Sequence, residues 1–339
     1  MQSVHNISVI IPVYNGNGSF KRCLESVCRS NRLADEVIVI SDGSTDSSCE
    51  IAESFGTTIL SLPVSKGPAR ARNIGAKSAT GDILVFFDAD VMIHKDTLGK
   101  IEKAFLQAPS LDALIGSYDD NPGADNFLSQ YKNLFHHYTH QTSPSKASTF
   151  WGACGAIRRS AFWAIGGFDE SYSKPCIEDI ELGYRLNRAA YCVQLCKDIQ
   201  VKHLKRWDLL SLLRAEIFYR ALPWSELLLT ENYLDSNLNL NNANRISVIF
   251  MFVMMCSLIG SLVSYKFLFI FALMAISLII INFEIYTFFY QKRGLIFTLK
   301  VIPYHWLYFL YGGACFGYAF LKSRLRKALL FCKNKFKMI

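Results

Sequence analysis

The sequence predicts an α/β fold in which a mixed, mainly parallel, Rossmann-like sheet is flanked by helices, followed by an apolar helical region. Two observations carry this prediction. Up to Phe87, short β-branched and apolar runs alternate with segments of helical spacing, which is typical of βαβ units. From Ile246 onward, long runs without charge appear, and such runs are typical of helices that cross a bilayer.

The first part of the chain contains strands and helices in alternation. Short runs rich in Val and Ile predict strands, and apolar residues three or four apart predict helices. The predicted strands are Ile7–Val13, Glu36–Ser41, Thr57–Leu62 and Asp82–Phe87, and the predicted helices are Phe20–Ser30, Asp46–Phe55 and Ala69–Ala79. Parallel sheets bind ligands outside the carboxyl ends of their strands, so polar residues that follow these strands are candidates for a site.

Composition also divides the chain. The segment Trp207–Trp224 is amphipathic with Trp at both ends, which favours a helix in the membrane interface over a helix packed in a core. The predicted division is an α/β domain at 1–206, an interfacial helix and linker at 207–245, a membrane domain at 246–322 and a basic tail at 323–339.

Two or three membrane spans are expected. Ile246–Tyr265 and Phe267–Phe283 carry no charge, while the third candidate, Leu295–Leu321, contains Lys300, Pro303 and His305. Three full spans from a cytoplasmic first domain would put the basic tail outside, against the positive-inside rule. Either the third segment is re-entrant or interfacial, or the charge rule fails, and the sequence leaves both open.

Charge and cysteine content indicate the surroundings. The formal net charge is +8, and the basic residues cluster beside apolar spans, which favours a membrane surface over nucleic acid as the partner. The ten cysteines form no Cys-x-x-Cys pair, and no export signal is visible at the first residues. We therefore expect an integral membrane protein whose first domain is cytoplasmic.

The pair Asp88-Ala89-Asp90 directly follows the predicted strand Asp82–Phe87. Two carboxylates at this spacing after a buried strand can be aimed at one ligand, and they suit Mg²⁺ or Mn²⁺. Such an ion would neutralise charge on a departing nucleoside diphosphate. A solvated turn is the alternative for this motif when it stands alone.

Other polar clusters follow the other strands. They are Pro12-Val13-Tyr14-Asn15, Ser41-Asp42-Gly43-Ser44-Thr45-Asp46 and Lys66-Gly67-Pro68-Ala69-Arg70-Ala71-Arg72. In their order and content, the clusters and the Asp88–Asp90 pair resemble the inverting family 2 glycosyltransferases of GT-A fold over roughly residues 7–225. One departure is Ser41, which stands where the family often has Asp.

The resemblance implies roles for these residues in binding a nucleotide sugar that carries UDP or GDP. Pro12, Tyr14 and Asn15 would line the nucleotide pocket, Asp42 would accept a hydrogen bond from the base or ribose, Arg72 would lie near the diphosphate, and Asp88 and Asp90 would hold the nucleotide and the metal.

The resemblance also implies an acceptor side. Trp151-Gly152 opens a loop of small residues that lets the backbone approach a sugar, and Glu178-Asp179 precedes a helical pattern. Asp179 would be the catalytic base that takes the proton of the acceptor hydroxyl, with Trp151, Gly152 and Glu178 contacting the acceptor. An acidic residue placed at a helix start by the helix dipole is the alternative for Asp179.

His203-Leu204-Lys205-Arg206-Trp207 is similar to the Gln-x-x-Arg-Trp signature of membrane polysaccharide synthases, with His in place of Gln. Arg206 could pair with the diphosphate and Trp207 could stack on the acceptor sugar. His203 could be a metal ligand, a donor contact or a structural histidine. The run His136-His137-x-x-His140 is interpreted as ordinary surface or groove residues.

These observations together predict a metal-dependent inverting glycosyltransferase that transfers one sugar to a lipid-linked or membrane-associated acceptor at the cytoplasmic face. Two alternatives remain. A processive polysaccharide synthase would make a polymer, and a non-catalytic membrane scaffold would need no set of acidic residues such as Asp42, Asp88, Asp90 and Asp179.

Overall fold

The computed structural model describes residues 5–231 and 242–336. The chain forms two compact units, Met1–Asp208 and Leu209–Ile339. Most of the predicted linker after the amphipathic segment, residues 232–241, and the last residues of the predicted basic tail lie outside the described residues.

The first unit is built on one sheet, whose described strands are β1 (Ile7–Val13), β2 (Glu36–Asp42), β3 (Thr58–Leu62), β4 (Ile83–Phe87), β5 (Val91–Ile93), β6 (Ala113–Tyr118), β7 (Cys154–Arg158) and β8 (Val193–His203). Their order across the sheet is β3-β2-β1-β4-β7-β6-β8-β5. β1 to β4 pair in parallel, as do β6 and β8, whereas β7 runs antiparallel to β4 and β6, and β5 runs antiparallel to β8. The predicted mixed, mainly parallel sheet is confirmed.

Helices cover both faces of the sheet, and they are α1 (Asn17–Cys28), α2 (Ser48–Ser54), α3 (Pro68–Ser78), α4 (Thr97–Gln107), α5 (Phe127–Thr142), α6 (Arg159–Ala164) and α7 (Glu178–Arg188). Successive strand residues point to opposite faces. Val9 and Ile11 of β1 therefore pack in one core with Phe20 of α1, while Ile10 packs in a second core with Ala76 of α3. A strand buried on both faces is apolar throughout, which explains the β-branched runs in the sequence.

The direction of the strands sets where a site can form. Because β7 runs antiparallel to β4, with Cys154 opposite Phe87, the start of β7 lies at the carboxyl end of β4. β6 and β8 run parallel to β4, so their last residues, Tyr118 and His203, lie at the same edge of the sheet as the carboxyl end of β4. This edge therefore receives the residues after β1, β2, β4, β6 and β8, together with those before β7.

The second unit is helical where it is described, with α8 (Leu209–Arg214), a π-helical segment (Ala215–Ala221), α9 (Leu222–Glu231), α10 (Asn242–Gly260), α11 (Phe267–Ile281) and α12 (Phe283–Phe336). The buried Glu216 carboxylate of the π-helical segment accepts hydrogen bonds from Arg220 and from Tyr311 of α12. Gly294, with φ 78°, breaks the helical backbone inside α12.

One described helix, Asn242–Gly260, is long and apolar enough to cross a membrane. Phe267–Ile281 and Phe283–Lys327 pass the same test only as a pair, and they are bent by 65° at the break between them. Large apolar side chains in the loop between α10 and α11 are exposed, among them Leu262 and Val263 at 88% and 89%. The structure thus contains one candidate span, or two if the bent pair is one span, and three spans stay a prediction.

Candidate active site at the carboxyl edge of the sheet

Asp42, at the end of β2, fixes the loop that leads into α3. Its carboxylate accepts hydrogen bonds from Ser65 Oγ (2.7 Å) and from the backbone N–H groups of Lys66 and Gly67 (both 2.9 Å). Asp42 is 4% exposed. A carboxylate offers about four acceptor sites, so three are used by the protein and one is left. In the structure, Asp42 therefore holds this loop in place. Its contact with a base or ribose stays a prediction.

The residues after β1 form a second turn at the same edge. Asn15, with φ 51°, accepts a hydrogen bond on its side-chain oxygen from Thr45 N (2.8 Å), and its N–H donates to Ser44 Oγ (3.1 Å). Asn tolerates this left-handed backbone better than most residues. Pro12 is buried within β1, and Tyr14 is 60% exposed beside the turn.

Arg72 of α3 joins two of the predicted acidic residues. Its guanidinium donates to Asp88 Oδ1 (2.6 Å) and to Glu178 Oε1 (2.9 Å), and its side chain is 4% exposed. It also lies over the Phe168 ring at 5.4 Å. Such a buried, doubly paired guanidinium sets the distance between the end of β4 and the start of α7.

Gly152, just before β7, completes this arrangement. A Cβ at this position would lie 2.7 Å from Arg72 Nη2, so a larger residue here would have to displace the guanidinium. The Gly152 N–H donates to Asp179 Oδ2 at 3.0 Å. The structure shows a close approach of Arg72 to this small residue, and the expected close approach of a sugar stays a prediction. Trp151 packs edge-on against His140 (5.0 Å).

The protonation of the cluster reflects this pairing. Burial alone would lower the pKa of Arg72, but the charges of Asp88, Glu178 and Asp179 outweigh it and raise that pKa above its usual value. Burial raises the pKa of Asp88. The positive charge of Arg72 acts to lower that pKa, and the negative charge of the neighbouring Asp90 raises it further. Burial also acts to raise the pKa of Asp90, but His203 and Lys205 outweigh this effect, and the pKa of Asp90 is lowered overall.

Asp90 and His203 meet because β5 pairs with β8. Val91 lies opposite His203 in that ladder, and Leu204 N donates to the Asp90 carbonyl oxygen (2.8 Å). His203 Nε2 is 3.7 Å from Asp90 Oδ2. The side chains of Asp88 and Asp90 are 35% and 32% exposed, which leaves an open side toward a ligand.

Within residues 5–231 and 242–336, no group of three or more His, Cys, Asp or Glu side chains is arranged to hold an ion. Asp90 and His203 do form a pair of suitable donors. A carboxylate and an imidazole suit Mn²⁺, and sites that serve phosphate ligands commonly use one or two protein ligands with phosphate oxygens completing the shell. The pair therefore fits a divalent ion shared with a diphosphate, whereas Asp88 is paired with Arg72 and its role as a metal ligand stays a prediction.

The residues after His203 are placed as follows. Trp207 is tied through its backbone to the start of α5, with its N–H donating to Ser129 Oγ (2.7 Å) and its carbonyl accepting from Asn126 Nδ2 (2.7 Å). Lys205 Nζ lies 4.3 Å from the centre of the Trp207 ring. Arg206 is exposed. The proposed contacts of Arg206 with a diphosphate and of Trp207 with a sugar stay predictions.

Solved structures share this fold. The chain is similar to Staphylococcus aureus TarS 1-349 in complex with UDP-GlcNAc, with a TM-score of 0.51 and 22% identity over 67% of this chain and 66% of that chain. It is also similar to mannosyltransferase PcManGT from Pyrobaculum calidifontis in complex with GDP-Man and Mn²⁺, with a TM-score of 0.51 and 16% identity over 94% and 87%. The sheet and its carboxyl-edge site therefore define a GT-A fold.

The sequence comparison is narrower. Residues 8–166 match the family model Glycosyl transferase family 2. The chain is 43% identical over 98 residues to the uncharacterized glycosyltransferase YibD of Escherichia coli, covering 28% of each. It is 30% identical over 227 residues to a pre-mycofactocin glycosyltransferase of Mycobacterium tuberculosis, covering 64% of this chain and 46% of that one. The matches thus span less than half of these relatives.

Sequence reasoning missed the aromatic residues behind His203. Tyr118, at the end of β6, stacks on the His203 ring, and His137 Nδ1 lies 2.7 Å from the Tyr118 carbonyl oxygen. His137 and His140 are 8% and 6% exposed, so two members of the triplet that was interpreted as surface or groove residues are buried. The missed signal is the helical spacing of the triplet in α5, which turns these rings toward β6.

Proposed function

We propose that this protein is an inverting glycosyltransferase that moves one sugar from a nucleotide sugar to a lipid-linked or membrane-associated acceptor. The observation that carries the proposal is the junction at Arg72. One buried guanidinium connects Asp88, which follows β4, with Glu178, which begins α7 next to Asp179. Donor-side and acceptor-side residues are thereby held in one rigid cluster, as transfer between two bound substrates requires.

The donor would bind along the edge formed by Tyr14, Asn15 and the loop fixed by Asp42. The exposed Tyr14 ring offers a face for a base, and the backbone there is held by the Asn15 and Asp42 hydrogen bonds. Arg72, which holds Asp88 in place, would lie near the diphosphate. Structures of the same fold hold UDP-GlcNAc or GDP-Man, which supports testing both nucleotide classes.

Asp90 and His203 would hold a divalent ion such as Mn²⁺ or Mg²⁺. The ion, when bound, would supply positive charge to the leaving diphosphate. Asp90 is suited to this role because a carboxylate supplies the hard oxygen ligands that such an ion prefers. Support for an ion of this kind also comes from the PcManGT structure, which contains Mn²⁺.

Asp179 would act as the base. The Gly152 N–H donates a hydrogen bond to Asp179 Oδ2, which holds the carboxylate next to the loop that precedes β7. From there it would take the proton of the acceptor hydroxyl while that oxygen attacks the anomeric carbon opposite the leaving group. Attack from that side inverts the configuration of the sugar.

The second unit would anchor the enzyme in the cytoplasmic membrane with the first unit in the cytoplasm. Its support is the apolar helix Asn242–Gly260 and the exposed apolar side chains around Leu262. Anchoring raises the effective concentration of a membrane-associated acceptor. Carbonate extraction of membranes, with cysteine labelling from either side, tests both the anchoring and the orientation.

The activity test is a donor screen with the full chain in lipid nanodiscs, reading released nucleoside diphosphate and the product. We expect release from one UDP- or GDP-sugar with Mn²⁺ or Mg²⁺, abolished in Asp90→Ala. Asp96→Ala is the matched control, because Asp96 is an acid that pairs with Lys100 on α4, away from the cluster. Release without any sugar transfer to lipid extracts, or near-normal activity of Asp90→Ala, would contradict the proposal, and a polymeric product would indicate the processive alternative.

A further inference from the structure

Behind the Asp90–His203 pair lies a buried tyrosine that the proposed chemistry does not use. Tyr118 ends β6 and is 7% exposed. Its ring stacks face to face on the His203 imidazole, with centroids 4.4 Å apart and planes inclined by 14°. The imidazole therefore has one face covered by Tyr118, and its free edge carries Nε2 toward Asp90 at 3.7 Å.

Tyr118 is itself held on its other sides. Trp151 meets its ring edge-on at 4.7 Å and 81°, and His136 meets it at 5.9 Å and 78°. Its backbone pairs with Val201 in the β6–β8 ladder, and its carbonyl oxygen is 2.7 Å from His137 Nδ1. Tyr118 is thus fixed by its strand, by α5 and by the loop before β7.

The sheet fixes the backbone of His203. Val91 lies opposite it in the β5–β8 ladder, and its carbonyl oxygen accepts from Gly123 N at 2.8 Å. The ladder leaves the two side-chain torsions of the histidine undetermined. A metal-binding histidine is usually oriented by a partner outside the ligand shell, and loss of that partner typically weakens metal binding about 10- to 100-fold.

We propose that Tyr118 is a positioning residue that holds the His203 imidazole against Asp90 in the geometry that binds a divalent ion. The ring face, rather than the hydroxyl, supplies the constraint, because the contact is a stack. Trp151 touches the same ring, so the metal side and the acceptor-side loop share one support. The inference rests on the proposed metal-dependent transfer.

The test measures Mn²⁺ binding directly, by the electron paramagnetic resonance signal of free Mn²⁺, with the full chain in nanodiscs and UDP or GDP present. The variants are Tyr118→Leu, which removes the ring, Tyr118→Phe, which keeps it, and His203→Ala, which removes the ligand. Tyr131→Leu is the matched control, since Tyr131 is 5% exposed in α5 and stacks on phenylalanines. Melting temperatures check folding, and Tyr118→Met replaces the leucine variant if that variant does not fold.

We expect Tyr118→Leu to weaken Mn²⁺ binding about tenfold, at the low end of the usual range. The dissociation constants of Tyr118→Phe and Tyr131→Leu for Mn²⁺ should stay within about twofold of that of the unmodified protein. If His203→Ala weakens binding but Tyr118→Leu does not, or if Tyr118→Phe is as weak as Tyr118→Leu, the inference is wrong and the proposed function stands. If His203→Ala binds Mn²⁺ normally, both the inference and the metal assignment of the proposed function are wrong.

Discussion

Removing Glu178 should destabilise the first unit strongly, because the carboxylate is a buried partner of a buried cation. The side chains of Glu178 and Arg72 are 6% and 4% exposed, and Glu178 also accepts a hydrogen bond from Cys176 N at 2.9 Å. Glu178→Ala leaves the guanidinium with Asp88 as its remaining carboxylate partner and leaves the Cys176 N–H without its acceptor. Breaking a buried pair of this kind costs about 3–5 kcal/mol. In a unit of this size, 1 kcal/mol corresponds to roughly 2–4 °C, so the melting temperature should fall by roughly 6–20 °C.

Calorimetry or circular dichroism of the full chain in nanodiscs measures this change. Glu178→Gln should cost less, because the amide oxygen can still accept from Arg72 although the charge is lost. The matched control is Glu181→Ala on the same helix, where Glu181 is 14% exposed and Arg185 keeps two carbonyl partners. Its loss should cost about 1–3 kcal/mol, less than Glu178→Ala, because Arg185 stays hydrogen-bonded to both carbonyl oxygens. If Glu178→Ala lowers the melting temperature no more than Glu181→Ala, the buried junction does not hold the site together.

Three further predictions concern the same edge. Gly152→Ala should lower kcat/KM about 10²-fold, since its Cβ would displace the Arg72 guanidinium, whereas Gly18→Ala, with open space around the new Cβ, should leave kcat/KM unchanged. Asp42→Asn should lower the melting temperature by roughly 3–12 °C, because an amide has one acceptor oxygen for the three donors that Asp42 now satisfies; an unchanged value would mean that the loop is held otherwise. Asp179→Asn should retain nucleotide binding by calorimetry and lose about 10²- to 10⁴-fold in turnover, and normal turnover would remove Asp179 as the base.

The sheet was predictable from the sequence to the extent that its strands are local and buried. Ile7–Val13 matches β1 at both ends, and the other predicted strands differ from the observed ones by one residue at one end. A strand buried on both faces is a mostly apolar run, so its approximate limits show in the sequence. The predicted helix Asp46–Phe55 is shorter in the structure, Ser48–Ser54, because Asp46 uses its carboxylate to hold Asn17 N and Ser48.

The candidate site was predictable in its residue types and less so in its contacts. Asp88, Asp90, Arg72, Glu178 and Asp179 were all chosen from strand ends and from a family resemblance. Their pairing was not, because an arginine and a glutamate separated by more than a hundred positions leave no local pattern. The structure shows Glu178 as a partner of Arg72, and its contact with an acceptor stays a prediction.

The pairing of β5 with β8 shows most clearly what a single sequence does not reveal. β5 is only Val91–Ile93, too short to give a period, and it follows the Asp88–Asp90 turn directly. It joins the far end of the sheet, next to β8, rather than continuing beside β4. That crossing sets Asp90 beside His203. A turn with two carboxylates is thereby divided between two partners: Asp88 pairs with the Arg72 cation that ties it to α7, and Asp90 faces an imidazole with which it can share an ion. The short strand therefore determines the separate chemistry of the two acids, and lengthening or shortening the 88–91 turn by one residue should disrupt the Asp90–His203 pair while leaving the Arg72–Asp88 pair in place.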